Sequence, residues 1–337
     1  MSIEIVQSLP EQEWRRFVDH HPEGNIFHTP EMFQVFSRVK GYKPDLWAAV
    51  DSNSRPLALL VPVQITLFNG LLRRFTTRAV VYGGMICARS DEGAQAPSLL
   101  LETYKHETKR MVLFTELRNL SNLNGVQSIL REHGFVYEDH LNYLISLKGS
   151  PDEVFERFGR RTRKNIRRGL RQGKVTVEVV NERTQISDCY RLLSQVYRHA
   201  QVPLADLSLF EVAFDLLHPK GMLRVTLARV DQMPAAVSFE LVYKGIIYGW
   251  YGGSDRAFGA YVPNELVMWH ILKWGVENGY EIYDFGGAGK PDEDYGVRDF
   301  KAKFGGELVC FGRNTYVNSP WLLALSKTGY AALRKFL

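Results

Sequence analysis

The chain has 337 residues, of which 45% are hydrophobic, and a formal net charge of +5 at pH 7. This length suggests two domains of ordinary size, each able to bury a core. The longest clean apolar run, Leu57–Ile65, is far too short to cross a bilayer. Three widely separated cysteines argue against a disulfide scaffold and a zinc site, and we expect no bound metal. The first residues, MSIEIVQSLPEQEW, lack a basic start before an apolar stretch, so we expect no signal peptide and a cytoplasmic location.

The first half of the chain alternates predicted strands and helices, which favours an α/β class. Helices are predicted at Pro10–His20 and His28–Lys40, the second with Thr29 as its N-cap and Pro30 at its first position. The other predicted elements of this half are strands at Leu46–Val50, Leu57–Leu67, Val80–Ile86, Leu113–Leu117 and Leu141–Leu147, and helices at Ala96–Met111 and Val126–His133.

The second half repeats the order of the first. Its predicted elements are helices over the basic segment, Ile186–Gln201 and Glu265–Gly279, and strands at Leu223–Arg229, Met233–Tyr243, Ile246–Tyr251 and Tyr280–Phe285. Each half places an apolar strand before a Gly-Gly turn (VVYGGMI and YGWYGGSD), then a helix and another strand. We interpret this as two similar domains in tandem, residues 1–150 and 151–318, followed by an amphipathic helix over 319–337. The alternative is chance recurrence of common α/β patterns.

The segment Tyr283–Glu307, YDFGGAGKPDEDYGVRDFKAKFGGE, is the richest in candidate chemistry. Its three glycines follow a predicted strand but do not open a helix, so they do not form a dinucleotide fingerprint; instead they let backbone approach a ligand closely. They are Gly286, Gly287 and Gly289. Cations follow that can bind a phosphate or stabilise an oxyanion on a carbonyl: Arg298, Lys301 and Lys303. The alternative is a solvated basic turn with two core phenylalanines.

Four stretches that span most of the chain resemble the Fem transferases, which add amino acids to peptidoglycan precursors from aminoacyl-tRNA. The C-terminal signature is IYDFGGAG followed by YGVRDFKAKFGGE, and the other stretches are Asn25–Tyr42, Arg157–Val180 and Tyr248–Tyr280. The resemblance implies two domains of the GNAT (GCN5-related N-acetyltransferase) type, each a mixed twisted sheet flanked by helices, with a cleft between or beside them. No long heptad insertion is present, so the chain is similar to the compact members that lack a coiled-coil arm.

The resemblance also assigns residues. Lys301 matches the lysine that the family associates with catalysis or with handling the acyl donor. Lys40 matches the lysine that contacts the phosphate-bearing acceptor, and Tyr251 matches the aromatic residue before the Gly-Gly turn. On this basis Lys301 stabilises the donor or the oxyanion, and Lys40 and Tyr251 line the acceptor site.

The stretch from Arg157 to Lys174 contains nine basic residues and no acidic one. If it is helical, a partial apolar stripe lies beside the cations, formed by Phe155, Phe158, Ile166 and Leu170. The functional interpretation is contact with tRNA phosphates, a nucleotide diphosphate or an anionic membrane surface; the alternative is a solvated face. The candidate phosphate ligands are Arg160, Arg163, Lys164, Arg167 and Arg168.

Transfer of an aminoacyl ester to an amine passes through a tetrahedral oxyanion, which a positioned cation stabilises. Such an ester is already activated, so no nucleophilic residue is needed, and the sequence has neither a GxSxG elbow nor an obvious Cys/His pairing. Asp299 or Asp294 can accept the proton of the amine. The alternative for each is an ordinary surface or ion-paired carboxylate.

Two segments keep other interpretations open. Arg256–Glu265, RAFGAYVPNE, partly matches the R/Q-x-x-G-x-G/A loop of CoA-dependent GNAT enzymes, but Tyr261 breaks the last small position. Ser319–Leu337 is an amphipathic helix with Lys327, Arg334 and Lys335, which either docks peripherally on a membrane or packs on its own domain.

We therefore predict an acyltransferase without a tightly bound cofactor, which moves an aminoacyl group from aminoacyl-tRNA to an amine of a nucleotide- or lipid-linked cell-wall precursor or a similar acceptor. One alternative is a CoA-dependent N-acyltransferase on the same fold, with acyl-CoA as the donor. The other is a non-catalytic protein that binds nucleic acid or a membrane surface.

Overall fold

The computed structural model describes residues 2–67, 70, 73–88, 95–123 and 125–333. Its strands are β1 (Glu4–Val6), β2 (Tyr42–Pro44), β3 (Trp47–Val50), β4 (Pro56–Leu60), β5 (Pro62–Thr66), β6 (Thr77–Gly83), β7 (Ile86–Cys87), β8 (Phe114–Asn119), β9 (Val136–Glu138), β10 (Leu141–Ser146), β11 (Val175–Val179), β12 (Leu223–Val230), β13 (Met233–Tyr243), β14 (Ile246–Ser254), β15 (Ile282–Gly287), β16 (Glu307–Cys310) and β17 (Arg313–Val317). Its helices are α1 (Glu11–His20), α2 (Pro30–Ser37), α3 (Arg73–Thr76), α4 (Ala96–Thr108), α5 (Gln127–Glu132), α6 (Pro151–Glu156), α7 (Arg160–Gln172), α8 (Ile186–His199), α9 (Leu207–Leu217), α10 (Pro263–Glu277), α11 (Gly296–Ala302) and α12 (Pro320–Leu333). The predicted α/β class is confirmed, and no helix in the described ranges is long and apolar enough to cross a membrane.

The chain divides into two compact units. The first comprises Met1–Asp139 together with Phe311–Leu337, and the second comprises His140–Cys310. These units differ from the predicted ranges 1–150 and 151–318 because two strands pair outside those ranges. Strand β10 pairs with β15 and β16 of the second unit, and β17 pairs with β8 and β9 of the first. The helix predicted over 319–337 is present as α12 in the first unit, while its Arg334 and Lys335 and the side chain of Lys327 lie outside the described residues.

The first unit contains a four-stranded sheet, β1-β3-β4-β7, and a six-stranded sheet, β2-β5-β6-β8-β17-β9. The strand predicted over Leu57–Leu67 is two strands, since the chain passes from one sheet to the other at Val61. Pro62 begins β5, a position that suits a residue without an N–H group. Strands β6 and β8 are parallel and paired at five positions, from Ala79 with Thr115 to Gly83 with Asn119.

The second unit is built on one seven-stranded sheet, β11-β12-β13-β14-β15-β10-β16. Strands β12, β13 and β14 form the antiparallel meander that the sequence predicts. Helix α10 connects β14 to the parallel strand β15 and packs against β12 and β13, and its Val267 and Ile271 are fully buried in the core. The basic helix is confirmed as α7; it follows α6, whose N-cap Ser150 forms a capping box with Glu153.

Two elements of the second unit differ from the sequence analysis. Helix α9 was not predicted, although Asp206 caps it by accepting a hydrogen bond from the Ser208 N–H. The segment read as a basic turn contains the helix α11, which buries Lys301. Phe300 and Phe304 pack edge to face beside it, and Phe304 is fully buried, so packing holds this short helix in place.

Candidate functional site

Strands β14 and β15 separate towards their carboxyl ends. Their parallel pairing covers three positions, from Ile246 with Ile282 to Tyr248 with Asp284, and no further pairs are found in the described strands. A bulge marks the same place on the other side of β14, because Gly249 pairs with Glu240 and Tyr251 pairs with Phe239. A bulge bends a strand and increases its twist, which explains how β14 leaves its parallel neighbour.

A cavity of about 600 Å³ lies where the strands separate. This volume is within the range of small-molecule sites. We call it the strand cavity; among its lining residues are Tyr197, Ser238, Gly249–Ser254, Asn264, Phe285–Gly287 and Lys301. One wall is aromatic, since the ring of Tyr251 lies 4.8 Å from that of Phe210 and 5.1 Å from that of Trp250.

Lys301 reaches the strand cavity from α11 and is buried. Its Nζ donates to the carbonyl oxygens of Phe285 at 2.7 Å, Gly286 at 3.3 Å and Gly287 at 2.7 Å. Burial lowers the pKa of this amine to about 8, and the nearby Asp284 carboxylate opposes that shift. An ammonium group has three N–H donors, so this arrangement uses all of them. Lys301 therefore holds the glycine turn, and contact with a substrate requires it to release one carbonyl.

Asp284 also fixes this turn. Its Oδ1 accepts a hydrogen bond of 2.7 Å from the Gly286 N–H, and the Asn142 side-chain amide approaches it at 3.4 Å. Burial raises the pKa of this carboxyl group to about 6, although the Gly286 N–H and Lys301 favour the charged form. Gly286 has a φ of +70°, a left-handed conformation that favours glycine. Gly286 and Gly287 thus form a fixed wall of the strand cavity, as the glycine-rich pattern suggested.

The other predicted residues of this segment lie away from the strand cavity. The guanidinium of Arg298 donates to the carbonyls of Ala288, Lys290 and Pro291, so it ties a loop together. Asp299 is exposed and lines neither the strand cavity nor the basic cavity described next. Its role as proton acceptor remains a prediction, as does that of Lys40, which lies exposed in the first unit.

A second cavity of about 610 Å³ lies at the amino end of α7. We call it the basic cavity; four cations and one acid line it, namely Arg160, Arg161, Arg168, Lys303 and Glu265. Gly159 caps α7 without a side-chain hydrogen bond, and the helix dipole adds positive potential at this end. Within the described residues no ion pair of Arg160 or Arg161 is found. This arrangement is suited to phosphate groups.

Only part of the predicted phosphate set meets there. Arg160 and Arg168 line the basic cavity, but Arg163 and Arg167 both pair with Glu156, Arg167 at 2.9 Å. Lys164 is exposed outside the lining. The stretch from Arg157 to Lys174 contains no acid, but the partner acid Glu156 lies one residue before it, in the preceding short helix α6.

Two cavity-side residues were missed altogether. Ser238 lines the strand cavity, and Glu240 lies fully buried two residues further along β13. The signal was in the sequence, because SFELVY places two polar residues at alternate positions of an otherwise apolar strand, where they share one face.

Comparisons with known proteins show what the chain is similar to. Residues 156–301, within the second unit, match the family model described as "Acetyltransferase (GNAT) domain". The chain is 20% identical over 388 residues to a "Lipid II:glycine glycyltransferase" of Staphylococcus haemolyticus, covering 88% of this chain and 89% of the relative. A crystal structure of FemX has a TM-score of 0.73 at 17% identity over 96% of this chain and all of that one. A tandem GNAT protein from the clavulanic acid biosynthesis pathway has a TM-score of 0.58 at 11% identity, covering 95% and 99%. The predicted tandem GNAT-like fold, the Fem resemblance and the acyltransferase class are confirmed.

Proposed function

We propose, from the premise that this chain is a Fem-type transferase of the GNAT superfamily, that it moves an aminoacyl group from aminoacyl-tRNA to an amine of a lipid- or nucleotide-linked cell-wall precursor. The name of the Staphylococcus haemolyticus relative states a glycyl donor group and lipid II as its target. We infer the same reaction class here, with the cytoplasm as its location and no tightly bound cofactor. The main support for the proposal is that the strand cavity and the basic cavity lie in the same unit.

The strand cavity suits the reacting groups. Attack of an amine on an ester carbonyl needs the two groups held together and the developing oxyanion stabilised. Gly286 and Gly287 let the donor approach the wall, and the buried ammonium of Lys301 supplies positive charge behind that wall. Tyr251 gives an aromatic surface for the acceptor in this proposal.

The basic cavity suits the phosphate-rich part of a substrate. In the proposal Arg160, Arg161 and Arg168 contact phosphates of the tRNA acceptor end, and Lys303, which lines the same cavity, contributes a further cation. Peripheral membrane contact through α12 stays a prediction; the exposed Trp321 and Leu325 on this helix are what support it.

One observation favours a second candidate, a CoA-dependent N-acyltransferase. The Arg256–Glu265 loop leads into α10 from Val262, whose φ is +54°, and Gly259 and Glu265 of this segment line the basic cavity. A diphosphate at the first turn of α10 would be stabilised by the same helix dipole. A thermal-shift comparison distinguishes the two donors. If acetyl-CoA stabilises the protein and aminoacyl-tRNA does not, the proposal that aminoacyl-tRNA is the donor is wrong.

The direct test is transfer of radiolabelled amino acid. Purified protein is incubated with a mixture of tRNAs charged with labelled amino acids and with a muropeptide precursor that carries a free amine. We expect label in the precursor, and none when that amine is acetylated beforehand. Transfer to the acetylated precursor, or no transfer at all, contradicts the proposal.

The phosphate role has a matched control on the same helix. In Arg160→Glu/Arg161→Glu two of the four cations that line the basic cavity are reversed, whereas Arg171→Glu makes one such reversal at the far end of α7, outside the lining. We expect the double variant to weaken tRNA binding by at least tenfold and to flatten its salt dependence, with little change for Arg171→Glu. If the two variants weaken tRNA binding equally, the effect reflects only a general loss of positive charge and not a phosphate site in the basic cavity.

A further inference from the structure

A buried carboxyl group lies behind the strand cavity and takes no part in the chemistry described so far. Glu240 on β13 is fully buried, and its Oε1 accepts a hydrogen bond from the Ser238 hydroxyl. Within the described residues its Oε2 meets no hydrogen-bond donor. Burying a carboxyl group without full hydrogen bonding costs free energy, so the position calls for a reason beyond packing.

The hydroxyl of Ser238 connects this carboxyl group to the cavity. Ser238 lines the strand cavity, and it pairs across the sheet with Gly252 of β14. A Cβ atom at Gly252 would lie 3.4 Å from Ser238 Oγ, and one at Gly249 would lie 2.8 Å from the Tyr283 hydroxyl. A side chain at either glycine would therefore crowd one of these two hydroxyl groups.

We propose that Glu240, acting through Ser238, accepts the proton that the attacking amine loses, an inference that rests on the proposed acyl transfer. As the N–C bond forms, the amine proton passes to Ser238 Oγ while the Ser238 proton passes to Glu240 Oε1. As the ester C–O bond breaks, the same path returns a proton to the leaving oxygen. Both residues end as they began, and no other reactant is needed.

The surroundings of Glu240 suit a group that gains and loses a proton. Arg224 on β12 faces it and favours the charged form, but the Arg224 Nε also lacks a hydrogen-bond partner among the described residues. Tyr283 on β15 faces it as well, and His270 on α10 lies against Arg224 at 3.5 Å. Burial outweighs the attraction of Arg224 and raises the pKa of Glu240 to about 8, close to the working pH of a proton acceptor.

The experiment is a pH series of kcat/KM in the labelled transfer assay for wild type, Glu240→Gln and Ser238→Ala. We expect wild-type activity to rise through a pH of about 8. Glu240→Gln, which keeps the shape and is neutral, should lose on the order of 10²–10⁴-fold in kcat and flatten this rise, with donor KM unchanged. Ser238→Ala should lose activity in the same direction. Glu307→Gln, at an exposed position of β16, is the control and should follow wild type.

Other results of this pH series would decide against the proton relay through Ser238 and Glu240 or leave it in place with a different donor. A Glu240→Gln enzyme within threefold of wild type, or one that keeps the full rise with pH, overturns the relay while leaving the transfer reaction standing. If acetyl-CoA proves to be the donor, the same series applies unchanged, because the relay serves the amine. If the wild type transfers from neither donor, the proposed function fails and the relay fails with it.

Discussion

Glu240 also makes a thermodynamic prediction that needs no substrate. Its pKa moves from 4.5 in the unfolded chain to about 8 in the folded protein because burial disfavours the charge. The folded state thus holds a proton that the unfolded state has released between these two values, so stability falls as pH rises through this window. The slope is about 1.4 kcal/mol per pH unit, and the whole effect is about 5 kcal/mol.

The perturbation is Glu240→Gln, which cannot titrate. At pH 5 the variant should lie within about 1 kcal/mol of wild type, because the folded carboxyl group is protonated and the unfolded one has only begun to gain from its charge. Above pH 8 it should be more stable than wild type by up to about 5 kcal/mol. The measurement is urea unfolding of both proteins at pH 5, 6, 7, 8 and 9. Subtracting the free energy of unfolding of wild type from that of the variant at each pH removes the contributions of all other titrating groups.

Glu307→Gln again serves as the control, because Glu307 lies exposed on the same sheet. Its difference from wild type should stay within a few tenths of a kcal/mol across the series. A flat difference for Glu240→Gln, or one that favours wild type at high pH, would refute the reasoning. Glu240 would then be charged and well solvated in the folded protein, contrary to its complete burial.

Two further predictions concern the stability of the second unit. Lys301→Met leaves three carbonyl oxygens without their shared donor. We therefore expect the free energy of unfolding in urea to fall by about 1–3 kcal/mol and transfer to be at least tenfold slower. An unchanged free energy of unfolding would show that Lys301 does not hold the glycine turn. Gly306→Ala places a Cβ 2.2 Å from the Leu144 carbonyl oxygen, which should destabilise the second unit by about 1–3 kcal/mol, whereas Gly296→Ala meets nothing within 4 Å and should be nearly neutral in the same measurement.

Helices and strands whose sequence signals lie in adjacent residues could be predicted from local patterns. Strand β13 has the predicted bounds Met233–Tyr243, because a largely apolar run and the two tight turns beside it are all local features. Helix α2 begins as predicted, with Thr29 accepting from the Met32 N–H and Pro30 in its first turn. Helix α9 carried a signal of the same kind, an Asp206 cap before apolar residues spaced three and four apart, and was overlooked.

Long-range pairing could not be predicted in this way. Nothing within Leu141–Ser146 shows that its partners are β15 and β16, and nothing within Arg313–Val317 shows that its partners are β8 and β9. Such pairing depends on backbone hydrogen bonds between distant residues. The same limit applies to the site: the motif identified Lys301, but only the folded chain shows that its ammonium is fully occupied by three carbonyls.

Each unit contains a pair of parallel strands, and the two pairs differ in how far they stay paired. In the first unit β6 and β8 pair at five positions, to the end of both strands, and Arg118 lies over the Tyr82 ring at 5.5 Å. In the second unit β14 and β15 pair at only three, after which β14 bulges at Trp250. Backbone groups released from a ladder must find other partners, and in the proposed reaction a bound acyl donor offers them. The bulge in β14 thus lies where the strand cavity opens, which is the site of transfer in the proposed function, whereas β6 and β8 of the first unit stay paired.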